Sequence, residues 1–435
     1  MEKTRAFLLR APARSMLAGV FSTRGALAAL ALALAGLELS GQALAQDKPK
    51  AEVMHWWTSG GEAAAVKVFA DQYTKAGGVW VDSAVAGGQA ARSAAINRIV
   101  GGNPPTASQF NTGKQFDDLV SQGLLNTVDQ VAEEGKWKSF LPPSFIEAAS
   151  REGHMYAVPV NVHGQNWAFY SKEVLDKSGV TAVPTNWDDF FVALDKIKAA
   201  GFTPLAQGGE PWQERLLFNV VLQSVSKDTF TRLYAKNDAT AIDTPEFKKS
   251  VEIFGKLRGY TDAGSPGRNW NDTTALLITN KAGVQFMGDW AKGEFKAANK
   301  EAGKDFYCQI GIDDKELVIG GDVFVFPKTT DAAQIKAQNL LASTMLSPET
   351  QVLFNIQKGS MPVRTDVDAS KFDLCAQKGM KLLADPTHQT PVIDMLASAD
   401  LVGALEDVIT NFWNNKSQTP EEFTAKFADA LKSAQ

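Results

Sequence analysis

Short strand-like segments alternate with longer helical ones, and this alternation constrains the fold more than any other feature of the sequence. AEVMHWW predicts a strand, and GEAAAVKVFADQYTKAG predicts a helix that ends at a glycine. VWVDSAVA then predicts a second strand, GGQAARSAAINRIVGGNPP a second helix, and TASQFN a third short strand or turn. Strands separated by helices are typical of parallel or mixed sheets that helices cover, so the sequence predicts an α/β fold.

Two segments interrupt this alternation in the way expected of a chain that crosses between two lobes. GHMYAVPVNVHGQNWAFYSKEVL, from Gly153, combines a strand at residues 156–160, a polar break and a strand that enters a helix. DVFVFPKTT, from Asp322, is a second apolar crossing. Residues 46–435 are too many for one ordinary hydrophobic core, which also favours two lobes.

Helix signals fill the sequence between and after these crossings. In PTNWDDFFVALDKIKAAG, Thr185 or Asn186 can cap the start of a helix and Gly201 can end it. The tail is largely helical and ends in TPEEFTAKFADALKSAQ, where Thr419 and Glu422 form a strong helix-start signal.

The first forty-five residues have the form of an export signal. Basic residues occur up to Arg24, residues 25–37 are an uncharged Leu/Ala stretch, and ALA at residues 43–45 matches the signal-peptidase pattern. The alternative is a membrane anchor, but the apolar run has about thirteen residues where a spanning helix needs roughly 20. We therefore expect cleavage near Ala45 and a periplasmic protein.

The charge balance argues against two classes of partner. The chain has a formal net charge of −5, and the leader contains five basic and two acidic residues, so the remainder carries −8. An acidic protein of this kind is poorly suited to bind nucleic acid or an anionic membrane. The sequence has no other long apolar run, so no further segment is predicted to span a membrane.

The two cysteines, Cys308 and Cys375, predict one disulfide. An exported chain folds in an oxidising compartment, where two thiols usually pair. A metal site would need more cysteines or histidines at close spacing, and the chain has only four histidines. We predict no metal and no cofactor.

Signatures of enzymes are missing from the sequence. It contains no G-x-S-x-G elbow, no P-loop, no H-E-x-x-H and no G-x-G-x-x-G. A pair of carboxylates could still come together in space, as in glycoside hydrolases, so an exported hydrolase remains the alternative to a binding protein.

Several of the ten tryptophans stand in polar sequence, where a core residue is not expected: Trp56 and Trp57 before TSGGE, Trp270 in RNWNDTT and Trp290 in MGDWAKGEF. Others have apolar neighbours and are predicted to be core: Trp137, Trp187 and Trp413. Tryptophan at a polar surface indicates a ligand with both an apolar face and a polar rim.

A pyranose sugar has this shape, because its C–H face stacks on aromatic rings and its hydroxyls hydrogen-bond to polar side chains. In MHWWTSGGE the tryptophan pair would offer a flat wall at the end of a strand. Gly60 and Gly61 would let the backbone approach the ligand, and Glu62 would reach its hydroxyls. Open α/β sheets bind ligands at such strand ends.

The sequence as a whole resembles a known family, the family 1 extracellular solute-binding proteins of ATP-driven sugar importers. Within that family it resembles the glucose/mannose-binding branch more closely. The matching stretches run in order along the chain: WWTSGGE, AVAGGQAARSAAINRIVGGNPPTASQF, YAVPVNVHGQNW, FTPLAQGGEPWQERLLF, NWNDTTALLITNKAGVQFMGDWAKGEF, GGDVFVFP and FNIQKGSMPVRTDVD. The resemblance implies a two-lobed α/β periplasmic binding protein of type II-like, maltose-binding-protein-like fold.

The resemblance also implies how the chain is divided and what it binds. One lobe would comprise residues 46–161 and 323–365, and the other residues 162–322 and 366–435. The partners would be a small-molecule sugar, glucose or mannose, and an inner-membrane permease of the ABC class. We expect a monomer that the ligand closes.

Eleven positions are assigned to the cleft by this resemblance: Trp56, Trp57, Glu62, Lys114, His163, Gln165, Trp270, Trp290, Asp322, Lys358 and His388. The sequence departs from the expected pattern at Gly164, where a larger residue is usual, and this would widen the site. A wider site would admit an oligosaccharide or polyol, so the same fold with another polar solute stays open as an alternative.

Overall fold

The computed structural model describes residues 48–433. The predicted leader lies outside the described residues. Within residues 48–433, no helix is both long and apolar enough to cross a membrane.

The strands form two larger sheets and two small ones. In chain order they are β1 (Lys50–His55), β2 (Val79–Ala84), β3 (Ala107–Asn111), β4 (Ser150–Arg151), β5 (His154–Met155), β6 (Ala157–Pro159), β7 (His163–Gly164), β8 (Trp167–Ser171), β9 (Thr203–Leu205), β10 (Ala282–Met287), β11 (Phe306–Ile310), β12 (Leu317–Gly320), β13 (Asp322–Val325) and β14 (Gln389–Pro391).

The α-helices cover these sheets. In chain order they are α1 (Gly60–Lys75), α2 (Gly88–Val100), α3 (Asp117–Ser121), α4 (Asp129–Glu134), α5 (Pro143–Ala149), α6 (Lys172–Lys177), α7 (Trp187–Ala199), α8 (Pro211–Val225), α9 (Lys227–Tyr234), α10 (Pro245–Leu257), α11 (Trp270–Ile278), α12 (Ala291–Ala297), α13 (Ala332–Met345), α14 (Pro348–Lys358), α15 (Leu374–Leu383), α16 (Ile393–Leu396), α17 (Ala399–Asn414) and α18 (Pro420–Ser433). Short 3-10 turns lie at Trp137–Ser139, Ala239–Asp243, Arg258–Tyr260, Ala369–Lys371 and Pro386–His388.

The larger sheets are the centres of two lobes. The first lobe is built on the five-stranded sheet β2-β1-β3-β13-β6, in which β1 runs parallel to β2 and β3 while β13 is antiparallel to β3 and β6. The second lobe is built on the four-stranded sheet β11-β8-β10-β9, in which β8 is antiparallel to both of its neighbours. The α/β fold predicted from the alternation is confirmed, and the lobe boundaries stay a prediction.

Crossing segments run side by side between the two sheets. The chain leaves the first sheet after β6, pairs β7 with β12, and enters the second sheet at β8. It returns through β12, Gly321 and β13, and the amide of Val160 donates to the carbonyl of Asp322 (3.0 Å). The polar break read from NVHGQN therefore contains a short strand, which holds His163 in register with Gly320.

Helix starts follow the capping signals in the sequence. Asn186 accepts the amide of Asp189 (2.9 Å) at the start of α7, so the cap is Asn186 rather than Thr185. At the start of α18, the Thr419 hydroxyl accepts the Glu422 amide (3.2 Å) and Glu422 accepts the Thr419 amide (3.1 Å). Both contacts satisfy amides that a helix end would otherwise leave unpaired.

Aromatic clusters hold the helices on the sheets. In the first lobe, Phe69 of α1 stacks on Phe354 of α14, with ring centroids 4.0 Å apart, and meets Phe324 of β13 edge-on. In the second, Phe295 of α12 stacks on Phe306 of β11 (4.1 Å). The three tryptophans predicted to be core are buried: Trp137, Trp187 and Trp413.

Cys308 and Cys375 form the predicted disulfide. It joins β11 to α15 across 67 residues of sequence, and Cα atoms 6.1 Å apart lie in the usual range for such bonds. The bond fixes the start of the helical tail to an edge strand of the second lobe.

We expect loss of this bond to destabilise the protein strongly. In the loop-entropy model a bridge over this span contributes about 4 kcal/mol. The double variant Cys308→Ser/Cys375→Ser should therefore melt several degrees below the wild type in calorimetry. A reductant should lower the melting temperature of the wild type and leave that of the double variant unchanged. Equal melting temperatures for both proteins would show that the bond does not contribute to stability.

Candidate functional site

Four partly buried tryptophans line a cavity with a volume of about 560 Å³. They are Trp56 after β1, Trp212 in α8, Trp270 at the start of α11 and Trp290 before α12. Trp56 comes from the first lobe and the others come from the second. The rings of Trp212 and Trp290 lie 6.1 Å apart at an angle of 51°. The two lobes thus present aromatic surfaces to one shared space.

Trp57, the second member of the opening pair, is mainly a core residue. It reaches the cavity wall, but its side chain is only 1 % exposed. Its ring packs against Phe354 (5.3 Å between centroids), Phe324 (5.7 Å) and Phe69 (6.2 Å). The two adjacent tryptophans therefore have different roles. Trp57 packs in the core at the end of the strand, and Trp56 faces the cavity.

His163 lies between two buried carboxylates at the floor of the cavity. Its Nδ1 lies 2.6 Å from Asp289 Oδ1 and its Nε2 lies 2.8 Å from Asp322 Oδ2. Both ring nitrogens donate only in the protonated imidazolium, so this arrangement requires a charged histidine. The ring also meets Trp290 edge-on, with centroids 4.8 Å apart, and so fixes the orientation of that indole.

Asp322 is held by further hydrogen bonds. Gln109 donates to its Oδ1 (3.0 Å), Asn161 donates to its Oδ2 (2.8 Å), and its own amide donates to Asn161 Oδ1 (2.7 Å). His163 and Asn161 both donate to Oδ2, and among the described residues only Gln109 donates to Oδ1. One lone pair of Oδ1 is therefore left to accept a further hydrogen bond. The carboxylate is thus fixed in place and still able to accept one donor from the cavity.

Burial and the neighbouring charges shift the pKa values of His163 and Asp322 in opposite directions, and the combined effect of the charges and hydrogen bonds is the larger one. Burial alone would lower the pKa of His163, but the adjacent Asp289 and Asp322 raise it above its ordinary value. Burial alone would raise the pKa of Asp322, but the charge and hydrogen bond of His163, with Lys358, lower it. Within the triad of His163, Asp289 and Asp322, both shifts favour the charged form, positive for His163 and negative for Asp322, in agreement with the hydrogen bonds.

Glu62 and Lys358 form a second buried contact beside this triad. The ammonium of Lys358 donates to Glu62 Oε1 (2.9 Å), and their side chains are only 2 % and 8 % exposed. The ammonium also lies 5.8 Å from the ring centres of both Trp57 and Trp290. Because one partner would be left as an unpaired buried charge without the other, the two side chains function as a unit.

The glycines after the tryptophan pair serve helix packing. A Cβ on Gly61 would lie 2.5 Å from the carbonyl carbon of Gly293, and the Gly61 amide donates to Glu294 Oε1 (2.8 Å). The expectation that Gly60 and Gly61 let the backbone approach a ligand is therefore wrong for Gly61. Its missing side chain allows α1 of the first lobe to touch α12 of the second.

Gly164 does not widen the site. A Cβ there would lie 2.5 Å from Trp167 Nε1 and 2.8 Å from Leu317 Cδ1, so the space is already filled by core side chains. The predicted widening is wrong, because a small residue is required for close packing behind the floor of the cavity.

Nine of the eleven predicted site residues line the cavity: Trp56, Trp57, Glu62, His163, Gln165, Trp270, Trp290, Asp322 and Lys358. The structure places Lys114 and His388 elsewhere. The ammonium of exposed Lys114 donates to the carbonyl of Leu396 (2.9 Å), and Nδ1 of His388 lies 2.9 Å from the carbonyl of Lys315 on the surface. In each case a nearby backbone carbonyl holds the side chain away from the cavity.

Other lining residues were not among the predicted positions. Trp212 and Glu210 stand in GGEPWQ, a polar context of the kind that identified the other tryptophans, so this signal was available. Arg92 and Gln115 lie in or before ordinary amphipathic helices and carry no such signal. Within residues 48–433, no group of three or more potential ligands could hold a metal ion.

Comparison with known proteins identifies the family. The model of the bacterial extracellular solute-binding proteins matches residues 57–352. A protein of Brucella suis named as a probable sugar-binding periplasmic protein is 37% identical over 398 residues, which is 90% of this chain and 94% of the relative. The chain belongs to the bacterial extracellular solute-binding proteins.

Two solved structures share the two-lobed fold of this chain. A chitin oligosaccharide binding protein superposes with a TM-score of 0.76 at 17% identity, covering 89% of this chain and 99% of that one. A maltose-bound protein of T. maritima superposes with a TM-score of 0.74 at 17% identity, covering 89% and 100%. These two show the fold, whereas the family match and the similar relatives show a binding protein rather than an enzyme, as the sequence predicts.

The raised pKa of His163 predicts a pH dependence of stability. The contribution of this histidine is complete below its unfolded-state pKa of about 6.5 and is lost as the pH rises through the raised pKa of the folded state. We expect the free energy of unfolding of the wild type to fall more steeply than that of His163→Gln from about pH 6.5 to pH 9. Urea denaturation at several pH values measures the free energy of unfolding of both proteins.

The exposed pair of His154 and Asp129 supplies the control for this experiment. The variant His154→Gln should retain the pH dependence of the wild type, since a solvated pair contributes little. If the free energy of unfolding had the same pH dependence in the wild type and in His163→Gln, this result would contradict a charged histidine in the folded protein.

Proposed function

We propose that this protein is the periplasmic sugar-binding component of an ATP-driven importer. The observation that carries the proposal is the pairing of four tryptophans with the fixed carboxylate of Asp322 in one cavity. The indoles can stack on the C–H faces of a sugar ring, and Asp322 can accept a hydroxyl. The names of the relatives, as sugar-binding periplasmic proteins, support the same conclusion.

Unpaired polar side chains in the cavity are suited to the hydroxyl rim of a sugar. The side-chain amides of Gln165, Asn269 and Asn271 line the cavity and form no hydrogen bond with other described residues. Each amide can both donate and accept, as each hydroxyl can. A purely apolar ligand would leave these groups without partners, which favours a polyhydroxylated one.

We propose that binding closes the two lobes, with the boundaries predicted from the sequence. The ligand would touch Trp56 of one lobe and the three tryptophans of the other at once only in the closed form. The closed form, with both lobes on the sugar, would be what an inner-membrane permease recognises. Export to the periplasm and a monomeric state belong to the same proposal.

The ring bound beside Asp322 is, in this proposal, a hexose of the glucose or mannose type. The resemblance of the chain to the glucose/mannose-binding branch supports this choice. An oligosaccharide or polyol on the same fold is the alternative.

A thermal-shift screen of protein purified from the periplasm tests the function. Glucose, mannose, maltose, cellobiose and sorbitol would each be added at increasing concentration. A ligand at 100-fold over its dissociation constant stabilises the folded state by about 2.7 kcal/mol, which raises the melting temperature by a few degrees. A shift with none of the sugars would refute the proposal, and a shift with sorbitol alone would replace the sugar by a polyol.

Two variants and one matched control locate the site. For the sugar that shifts the wild type, Trp290→Ala and Asp322→Asn should weaken binding by roughly fivefold to 150-fold, since each removes a contact of roughly 1 to 3 kcal/mol. Trp80→Ala removes a tryptophan of β2 outside the cavity and should leave the affinity unchanged. An equal loss with Trp80→Ala would show that the effect is structural.

A further inference from the structure

The cavity extends beyond the Asp322 floor to a second group of charged residues, here called the Arg92 pocket. It is formed by Trp56, Arg92, Arg215, Asp394 and Glu406. A line of polar residues connects the two ends of the cavity. Asp322 lies opposite Asn111 in the sheet, the Asn111 amide donates to Gln115, and Gln115 donates to Asp394 (3.1 Å).

Arg92 is the unusual member of this pocket. Its guanidinium lies 5.8 Å from the centre of the Trp56 ring and forms no hydrogen bond with any other residue of the described chain. Burial lowers its pKa, against the attraction of Asp394. Because Arg92 is partly exposed to the cavity, its five unused donors are available to the oxygen atoms of an occupant.

The charges of the pocket indicate a neutral occupant. Arg215 donates to Asp394 (3.1 Å) and to Glu406 (2.8 Å), and these three side chains, of which Asp394 is buried, carry one formal net negative charge. Arg92 lies within electrostatic range of all three and balances that charge. An anionic ligand would upset this balance, whereas hydroxyl groups can accept from Arg92 without adding charge.

The size of the cavity is also larger than one sugar ring requires. Pockets for small ligands have volumes of roughly 300 to 1,000 Å³, and this cavity, at about 560 Å³, lies well inside that range. A hexose has twelve non-hydrogen atoms and a disaccharide has twenty-three. A single ring beside Asp322 would leave the Arg92 pocket to solvent.

We propose that the Arg92 pocket is a second sugar subsite, so that the hexose beside Asp322 is one ring of a neutral disaccharide or glycoside, and the oligosaccharide named above as the alternative is the preferred ligand. One ring lies among Trp270, Trp290 and Asp322, and the second lies against Trp56 with its hydroxyls accepting from Arg92. This proposal rests on the sugar-binding function above. It assigns Arg92 as a residue that determines ligand length.

Isothermal titration of protein purified from the periplasm tests the proposal. The probes are glucose, mannose, maltose, cellobiose, mannobiose and, as an anionic disaccharide, lactobionate. At least one neutral disaccharide should bind tenfold or more tightly than the monosaccharide of which it is made. Arg92→Gln should lower the affinity for that disaccharide at least tenfold and the affinity for the monosaccharide by a clearly smaller factor, and Arg92→Lys should restore part of the disaccharide affinity.

The control is Arg98→Gln, on the same helix. Arg98 pairs with Glu52 outside the cavity, and its loss should leave both affinities unchanged. Melting temperatures of all variants, measured without ligand, show whether each one is folded.

The outcomes separate this proposal from the function on which it rests. Tight binding of a monosaccharide with no gain for any disaccharide would overturn the second subsite and leave the sugar-binding function intact. If Arg92→Gln lost the same factor of affinity for the monosaccharide and the disaccharide, Arg92 would act in lobe closure. That result would also overturn the second subsite. Tighter binding of lactobionate than of every neutral disaccharide would refute the proposal that the ligand is neutral. Binding of no sugar would refute both proposals.

Discussion

The imidazolium of His163, held between Asp289 and Asp322, organises the centre of the molecule. Asp289 follows a strand of the second lobe, Asp322 begins a strand of the first, and His163 lies on the segment that crosses between them. Two carboxylates this close would repel each other without a cation between them. The same ring orients Trp290, so one buried charge positions both the polar and the aromatic surface that face the ligand.

Most of the fold could be predicted because its signals are local. The strand AEVMHWW, the helix after TSGG and the cap at Asn186 each depend on residues within one or two turns of chain. The disulfide was predictable for a different reason, since an exported chain with two cysteines has one possible pair. The short strand at His163 could not be read from sequence, because Ile319 of β12, the partner of Gly164, lies 155 residues farther along the chain (319 − 164).

Residue type alone indicated the cavity only where it conflicts with the surrounding sequence. Tryptophan in polar sequence is such a conflict, and Trp56, Trp270 and Trp290 do line the cavity. Polar lining residues such as His163 give no comparable signal, because a solvated position and a cavity position look alike in sequence, and only the family resemblance indicates them. The resemblance also assigns Lys114 to a cavity that it does not line, and nothing in the sequence singles out Arg92, which does line it.

The contact between Gly61 and Gly293 limits how the two lobes can move. Two backbones meet there without side chains between them, and Gly359 approaches the same point, with its missing Cβ position 2.7 Å from the Gly293 amide nitrogen. Side chains can deform when surfaces slide, but touching main chains cannot. A lobe movement that preserves this contact is therefore a rotation about it, with the glycines at the pivot. Motion there is smallest, and the opposite rim of the cleft travels farthest.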